Sequence, residues 1–212
     1  MKLYTYFRSS AAYRVRIALN LKGIDAEQVP IHLTKDGGRQ RMPAYLTKNP
    51  QALVPALELD DGTVLTQSLA IIEYLDQIKP EPRLVPADPV LAARVRAVAL
   101  AIACDTHPLN NLRVLNYLKG PFGRSQPDVD AWYRHWVLEG GLQAVERLIP
   151  GAPFCFGAAP TLADVVLVPQ VANARRFDVP IDHLAKILAA DAACMAIEAF
   201  ARAHPSRQPD AE

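Results

Sequence analysis

Residues 1–23, MKLYTYFRSSAAYRVRIALNLKG, predict a strand that leads directly into a helix. Leu3 to Phe7 is a short apolar and aromatic run, typical of a strand. After Ser9-Ser10, apolar side chains recur at helical spacing, which predicts a helix from about Ala12 to Lys22. Gly23 then stands where a left-handed C-terminal cap belongs.

The residues that follow extend this start into a small mixed sheet with helices on its faces. A turn at residues 60–62, Asp-Asp-Gly, suits a tight hairpin because these residues tolerate positive φ. We expect strands at 26–31, 53–59 and 63–66, a loop with a weak helix at 34–47, and a helix at 69–78 that Ser68 caps.

The second part of the chain is helical in pattern. Residues 79–89 contain four prolines and read as a linker, because such a stretch cannot be helical throughout. Thr161 and Asp164 resemble a capping box, and the apolar run 165–171 predicts a buried central helix. We predict helices at about 90–117, at 129–148 and from 160 onward. The domains expected are an α/β domain at 1–80, a linker at 81–88 and an all-α domain at 89–212.

Composition limits the function classes. Lys and Arg total 23 against 22 Asp and Glu, which gives no support for a nucleic-acid-binding face. No apolar run is long enough for a membrane span, and the N-terminus enters a strand at once without a signal peptide, so we expect a cytoplasmic protein. Cys104, Cys155 and Cys194 form no CxxC pair and no zinc spacing. We expect reduced cysteines in or near the core, and no metal site.

Three stretches are candidates for binding chemistry, and each has a structural alternative. Ser9-Ser10 and Gln67-Ser68 stand at helix N-termini, which favour anions, although each pair also suits simple capping. A hydroxyl at such a turn can stabilise a thiolate. Pro55 in Leu53-Val54-Pro55-Ala56-Leu57 either opens an ordinary strand or takes a special peptide bond beside a ligand.

Together these stretches resemble the zeta-class glutathione transferases, which include maleylacetoacetate and maleylpyruvate isomerases. The family motif Ser-Ser-Cys-x-x-Arg-Val-Arg-Ile-Ala-Leu matches residues 9–19, SSAAYRVRIAL. The resemblance covers essentially the whole chain. It extends to Asn49-Pro50-Gln51, Val54-Pro55, Gln67 to Leu75, Val168 to Ala174 and His204 to Asp210. It implies a thioredoxin-like N-terminal domain, an all-α C-terminal domain, a homodimer, and glutathione as cofactor.

The resemblance also implies roles for individual residues. Ser9 or Ser10 would face the glutathione sulfur, while Gln67 and Ser68 would face its γ-glutamyl end. Val54 would offer its backbone, and Gln40 would approach the glycyl end. His107, Asn111 and Arg113 match a segment near the cofactor, and their spacing predicts that His107 and Asn111 share a helix face, although His107 also suits an interdomain hydrogen bond. Arg8, Arg113 and Arg176 match arginines of the isomerases, where Arg suits the carboxylates of a diacid.

By the same resemblance, the reaction is glutathione-dependent cis–trans isomerisation of a maleyl diacid, with maleylacetoacetate as the first substrate and maleylpyruvate as the alternative. Ala11 replaces the family cysteine, which argues against thiol–disulfide side activities. Arg14 and Arg16 lie within the first helix, where we expect structural roles in pairing and interdomain contacts. Two other functions stay open: a transferase or dehalogenase of small α-halo acids, and a non-catalytic module. The retained serines and glutamine argue against the module.

Overall fold

The computed structural model describes residues 1–212, which form two compact units. Unit 1 contains residues 1–83 together with 196–212, and unit 2 contains residues 84–195. The predicted domain bounds of 1–80, 81–88 and 89–212 stay a prediction. The compact units differ from these bounds, because residues 196–212 group with the N-terminal sheet and not with the helices of unit 2.

Unit 1 is built on a four-stranded mixed sheet in the order β2-β1-β3-β4. Its strands are β1 (Lys2–Thr5), β2 (Glu27–Pro30), β3 (Ala56–Glu58) and β4 (Val64–Thr66). β1 runs parallel to β2 and antiparallel to β3, and β4 runs antiparallel to β3. Leu3 pairs with Leu57 across β1 and β3, and both side chains are fully buried. The predicted order of strand, helix, strand, helix, hairpin and helix is confirmed.

Helices α1 (Ser10–Lys22) and α3 (Ser68–Ile78) pack against each other on this sheet. The α1 C-terminus has the predicted Gly23 cap at φ 55°, whose N–H donates to the carbonyls of Asn20 and Leu19. Between β2 and β3 lie 3₁₀ turns at Lys35–Gly37 and Arg39–Arg41 and a short helix, α2 (Pro43–Leu46). The Val54–Pro55 peptide bond is cis.

Unit 2 is helical, but the single helix predicted at 90–117 is wrong. The chain forms α4 (Pro89–Leu100), a π-helical segment (Ala101–Thr106), a 3₁₀ turn (Pro108–Asn110) and α5 (Leu112–Lys119). Pro108 has no N–H to continue the helical ladder, and Asn111 is extended at ψ 145°. Asn111 therefore begins α5 as its N-cap instead of lying within a helix.

The helix predicted at 129–148 is also divided. It consists of α6 (Gln126–Val137), a second π-helical segment (Leu138–Leu142) and α7 (Gln143–Leu148). Gly140 and Gly141 lie in that segment, where a side chain would collide with its neighbours. An added Cβ on Gly141 would lie 2.5 Å from Thr106 Oγ1 and 2.8 Å from Thr106 Cγ2, so this glycine permits close approach of the two π-helical segments.

The predicted central helix is α8 (Leu162–Arg176), and its first two turns are almost completely buried. Asp164 accepts hydrogen bonds from the Thr161 backbone N–H at 2.8 Å and hydroxyl at 2.9 Å, so the capping box is confirmed. The chain ends in α9 (Ala185–Met195) and α10 (Glu198–Ala203). No helix combines the length and the apolar character that crossing a membrane would need.

The three cysteines are free, and two of them fit the expectation of burial. Cys155 and Cys194 are fully buried in unit 2, and burial raises the pKa of both thiols. Cys104 is exposed in the first π-helical segment, so the expectation is wrong for that residue. A helix has both buried and exposed positions, and the spacing of the cysteines in the sequence does not show which of these a cysteine occupies.

Candidate functional site

The serine turn, residues Arg8-Ser9-Ser10, joins the end of β1 to the start of α1. Ser9 is the N-cap residue, and its hydroxyl oxygen accepts from the Ala12 N–H at 3.2 Å. The Ser9 hydroxyl hydrogen remains able to donate, so capping and thiol activation are compatible roles. Ser10 begins the helix and is 5% exposed.

Ser68 is the first residue of α3, so the prediction that it caps this helix is wrong; its hydroxyl contacts α1 instead. Its hydroxyl oxygen accepts from Arg14 Nη1 at 3.3 Å, and the Arg14 side chain is buried. Neither α1 nor α3 has an acidic residue in its first turn. Two helix N-termini with positive partial charge therefore begin close to one buried arginine, an arrangement that favours anionic groups.

Gln67, the N-cap residue of α3, has a strained backbone and an exposed side chain. Its φ is 68° and its ψ is 117°, values that cost a non-glycine residue about 1–3 kcal/mol and recur at ligand-binding positions. Its side-chain amide makes no capping bond, and instead donates to Gln51 Oε1 at 2.8 Å. Gln51 is thus a further residue at this position, and the only signal for it in the sequence is that it belongs to the family-like segment Asn49-Pro50-Gln51.

Val54 and Gln40 join the same region through a small apolar cluster. Val54 packs with Tyr6, Phe7 and Tyr45, and Leu33 packs against this group. The Gln40 amide donates to the Leu33 carbonyl at 3.3 Å. Its other atom, Oε1, is buried and has no hydrogen-bond partner within the protein. An unpaired buried acceptor is costly, so it indicates a place for a donor from a ligand or water.

Unit 1 thus brings together six of the predicted site residues. Tyr6 and Phe7 run directly into the serine turn and contact Val54, Leu33 links that cluster to Gln40, and Arg14 links α1 to Ser68. Residues in this group are Ser9, Ser10, Gln40, Val54, Gln67 and Ser68. A cavity of about 310 Å³ elsewhere in unit 1 includes none of them.

Arg8, the first residue of the serine turn, is exposed, and its guanidinium lies 4.9 Å from the centre of the Phe7 ring. This contact leaves the planar fork of the side chain accessible to an anion. Arg176 belongs to unit 2, at the C-terminal end of α8, where it is exposed and lies 4.6 Å from the Phe177 ring centre. Phe177 in turn stacks on Tyr133 with ring centres 4.0 Å apart.

The remaining predicted residues, His107, Asn111 and Arg113, lie in unit 2 around the break at Pro108. His107 is partly exposed at the end of the π-helical segment, and Asn111 caps α5 by accepting from the Arg113 N–H at 3.1 Å. The prediction that His107 and Asn111 share a helix face is wrong, because no helix runs continuously from one to the other. The relative position of His107 and Asn111 depends instead on the 3₁₀ turn that begins at Pro108.

The similarity of the chain to known proteins identifies its family. Residues 3–83 match the family model for the N-terminal domain of glutathione S-transferases. The chain is 51% identical over 99% of its length, and 98% of the relative's, to maleylacetoacetate isomerase of Pseudomonas aeruginosa. A holo structure of a maleylpyruvate isomerase, described as a bacterial zeta-class glutathione S-transferase, is 46% identical, with full coverage of both chains and a TM-score of 0.95. The chain belongs to the zeta-class glutathione transferase family.

A second solved structure similar to this chain contains bound ligands. Maleylacetoacetate isomerase from Methylobacterium extorquens, solved with malonate and glutathione bound, is 39% identical with full coverage of both chains and a TM-score of 0.95. Malonate is a small dicarboxylate. The family model and the structural similarity confirm the predicted zeta-class fold, with a thioredoxin-like N-terminal domain and an all-α C-terminal domain.

Proposed function

We propose that the protein is a glutathione-dependent cis–trans isomerase that converts maleylacetoacetate to fumarylacetoacetate. The names of its full-length zeta-class relatives support an isomerase, and glutathione bound in a relative supports the cofactor. The observation that carries the proposal is the pair of helix N-termini at Ser9-Ser10 and Ser68, both without acidic residues in their first turns.

The residues of unit 1 fit glutathione, which carries two carboxylates, an ammonium group, peptide groups and a thiol. Gln40 Oε1 is a buried acceptor without a partner, which suits a peptide N–H or ammonium donor. The N-terminus of α3 at Gln67 and Ser68 suits a carboxylate. Val54 offers backbone groups for a peptide-like ligand, and Ser9 and Ser10 offer hydroxyl donors.

Bound glutathione supplies a thiol nucleophile for the cis double bond. The role of the serine turn is to hold that thiol in its ionised form: a serine hydroxyl donates a hydrogen bond to the sulfur, and the α1 N-terminus favours its negative charge. The thiol belongs to the cofactor, so Ala11 in place of the family cysteine does not remove it.

The arginines handle the substrate. A maleyl diacid has two carboxylates, and removing both from water without cations would be costly. Arg8 and Arg176 are both exposed, and each guanidinium lies over an aromatic ring; we assign the two residues to the carboxylates and to the negative charge that develops on the carbonyl oxygen. His107, Asn111 and Arg113 complete the cofactor-binding set of this proposal.

Maleylpyruvate is a second candidate substrate, since a maleylpyruvate isomerase matches the chain with a TM-score as high as that of the maleylacetoacetate isomerase from M. extorquens. Both compounds carry two carboxylates and a cis double bond beside a carbonyl, so Arg8 and Arg176 can bind either one. A cytoplasmic location and a homodimer are also part of the proposal, on the strength of the family resemblance.

The test uses purified protein freed of thiols. We expect no isomerisation of either maleyl diacid until glutathione is added, and none when S-methylglutathione replaces it, because that analogue lacks the thiol. The larger kcat/KM identifies the preferred diacid. Turnover without any thiol would contradict the proposal, and faster release of halide from an α-halo acid than isomerisation of either diacid would favour the transferase alternative.

A further inference from the structure

The backbone just before the serine turn lies outside the sheet and depends on other partners. β1 ends at Thr5, and α1 begins at Ser10. The Tyr6 carbonyl accepts from the Ser9 N–H at 2.9 Å and from Arg16 Nη1 at 3.3 Å. The Phe7 carbonyl accepts from Arg16 Nη2 at 3.1 Å. One buried guanidinium therefore holds two successive carbonyl groups.

The Phe7 N–H has a partner from the far end of the chain. It donates to Asp210 Oδ2 at 3.0 Å, a contact between residues 203 positions apart. The other oxygen, Asp210 Oδ1, is buried and has no hydrogen-bond partner. A carboxylate kept in such a place at a desolvation cost is expected to contribute something specific, and here its bond goes to the peptide that precedes the serine turn.

Arg16 and Asp210 complement each other electrostatically. Arg16 is 3% exposed, and burial lowers the pKa of its guanidinium to about 10, while the negative charge of Asp210 acts in the opposite direction. Arg16 Nε also donates to the Ala203 carbonyl at 3.1 Å, which joins the guanidinium to the end of α10. The two charged groups therefore connect the peptides of Tyr6 and Phe7 with the C-terminal segment.

That segment is itself well anchored within unit 1. The side-chain amide of Gln208 donates to the carbonyls of Arg202 and His204, both at 2.9 Å. Beyond Asp210, Glu212 pairs with Lys35 and lies 3.4 Å from His32. Residues 204–212, called the C-terminal strap below, thus present the Asp210 carboxylate from a fixed position.

We propose that Asp210 is a positioning residue for the reaction: by binding the Phe7 N–H opposite Arg16, it fixes the peptides that lead into Ser9 and Ser10. The inference rests on the proposed function, since the serine turn matters there through the acidity of the bound glutathione thiol. A loosened Phe7 peptide moves the hydroxyl donors and the α1 N-terminus away from the sulfur. A small displacement of a positioned group costs up to about a hundredfold in rate.

The test compares Asp210→Ala and Asp210→Asn with Glu212→Gln as the matched control. Asp210→Asn keeps an acceptor oxygen without the charge, whereas Asp210→Ala removes the acceptor. Glu212→Gln changes a carboxylate of the same strap that contacts Lys35 and His32 instead of the serine turn. We measure ultraviolet absorbance of the bound thiolate against pH, glutathione affinity by calorimetry, kcat/KM, and amide hydrogen exchange of the peptide that covers residues 6–10.

We expect Asp210→Ala to raise the pKa of the bound thiol by about one unit, to lower kcat/KM about tenfold and to speed exchange in residues 6–10. At a pH below the pKa of the bound thiol, where glutathione binds with its thiol protonated, its affinity should change less than about twofold, because its carboxylates bind elsewhere. Asp210→Asn should recover most of the wild-type behaviour, and Glu212→Gln should match wild type.

Several outcomes would overturn the inference. If Asp210→Ala is folded and its thiol pKa equals that of wild type, the carboxylate does not position the turn. If Asp210→Ala fails to fold, the test passes to Asp210→Asn: wild-type exchange and thiol acidity support the acceptor role, and loss of either contradicts it. If wild-type protein leaves the glutathione thiol as weak an acid as it is in water, the proposed function fails as well, whereas the other outcomes leave that function intact.

Discussion

Ser9 shows how much one residue contributes to this site. Its hydroxyl caps α1 by accepting from the Ala12 N–H, and the same hydroxyl is a candidate donor to the thiolate. Capping contributes to the stability of the fold, and donation contributes to the chemistry. Substitutions that keep one property and remove the other separate the two.

We predict that Ser9→Ala lowers the free energy of unfolding by about 1 kcal/mol, because the cap is lost. Ser9→Asp should retain the stability, since Asp is as good a cap, but its negative charge beside the sulfur should raise the pKa of the bound thiol. Urea unfolding and thiolate absorbance measure the two effects. If Ser9→Asp leaves the thiol pKa at the wild-type value, Ser9 does not face the sulfur and Ser10 takes that role.

The arginines are also best tested singly. Arg8→Ala and Arg176→Ala should each lower kcat/KM for the diacid by about 30-fold to several thousandfold, which corresponds to about 2–5 kcal/mol for a lost charge-assisted contact. Glutathione affinity should hardly change. Arg175→Ala is the matched control, because Arg175 is the neighbour of Arg176 in sequence and the proposal gives it no role at the site; its guanidinium donates to Asp191 at 2.6 Å. Near-normal diacid kinetics in both Arg8→Ala and Arg176→Ala would contradict the assignment of these arginines to the substrate carboxylates.

At the scale of elements, the start of α3 combines strain with binding. Gln67 has a positive φ that glycine adopts freely, so we predict that Gln67→Gly gains about 1 kcal/mol of stability relative to Gln67→Ala. Both variants should bind glutathione more weakly than wild type, since both lose the side-chain amide. Denaturant unfolding and calorimetry supply the measurements. Equal stability of the two variants would show that the backbone is not strained at this position.

The paired π-helical segments give a second prediction at this scale. Replacing glycine by alanine usually stabilises a helix by about 1 kcal/mol. Gly141→Ala should instead destabilise unit 2 by about 1–3 kcal/mol, because the new methyl group meets the Thr106 side chain. The cost should fall when Thr106→Ala is introduced as well, which a double-mutant cycle of unfolding free energies detects. An equal cost in both backgrounds would contradict the predicted collision.

Helices and strands that depend on residues near one another in the sequence could be predicted. Contacts between residues far apart in the sequence could not. The β1–α1 start follows from apolar spacing and from Gly23, and the α8 start follows from Thr161 and Asp164. The helix break was signalled by Pro108, but a periodic pattern on both sides concealed it. No local pattern indicates the bond from Phe7 to Asp210 or the pairing of Gln67 with Gln51, because tertiary packing brings those residues together.

At the scale of the whole molecule, the candidate site was more predictable by resemblance than by pattern. Local sequence patterns at Ser9, Ser10, Gln67 and Ser68 suit either capping or ligand binding. Ser9 shows why, because its hydroxyl oxygen caps α1 while its hydroxyl hydrogen can still be donated. Membership in the zeta class is confirmed by the full-length relatives. The individual roles of the site residues stay predictions.

The proposed homodimer is a property of the whole chain. We expect a twofold symmetric dimer, the commonest form of soluble oligomer, at micromolar concentration. Light scattering coupled to gel filtration should give a mass near twice the 23.2 kDa of one chain. A concentration series extends the measurement, and a mass of one chain throughout would contradict the dimer.

The division of unit 1 between the two ends of the chain has a consequence for synthesis on the ribosome. Residues 1–83 emerge before unit 2, whereas α10 and the C-terminal strap emerge only after it. At ordinary translation speeds the N-terminal sheet therefore waits on the order of ten seconds for its last partners. During that interval the buried guanidinium of Arg16 lacks the Ala203 carbonyl, and the Phe7 amide lacks Asp210. Final organisation of the serine turn therefore follows the synthesis of unit 2, because Ala203 and Asp210 come after it in the sequence.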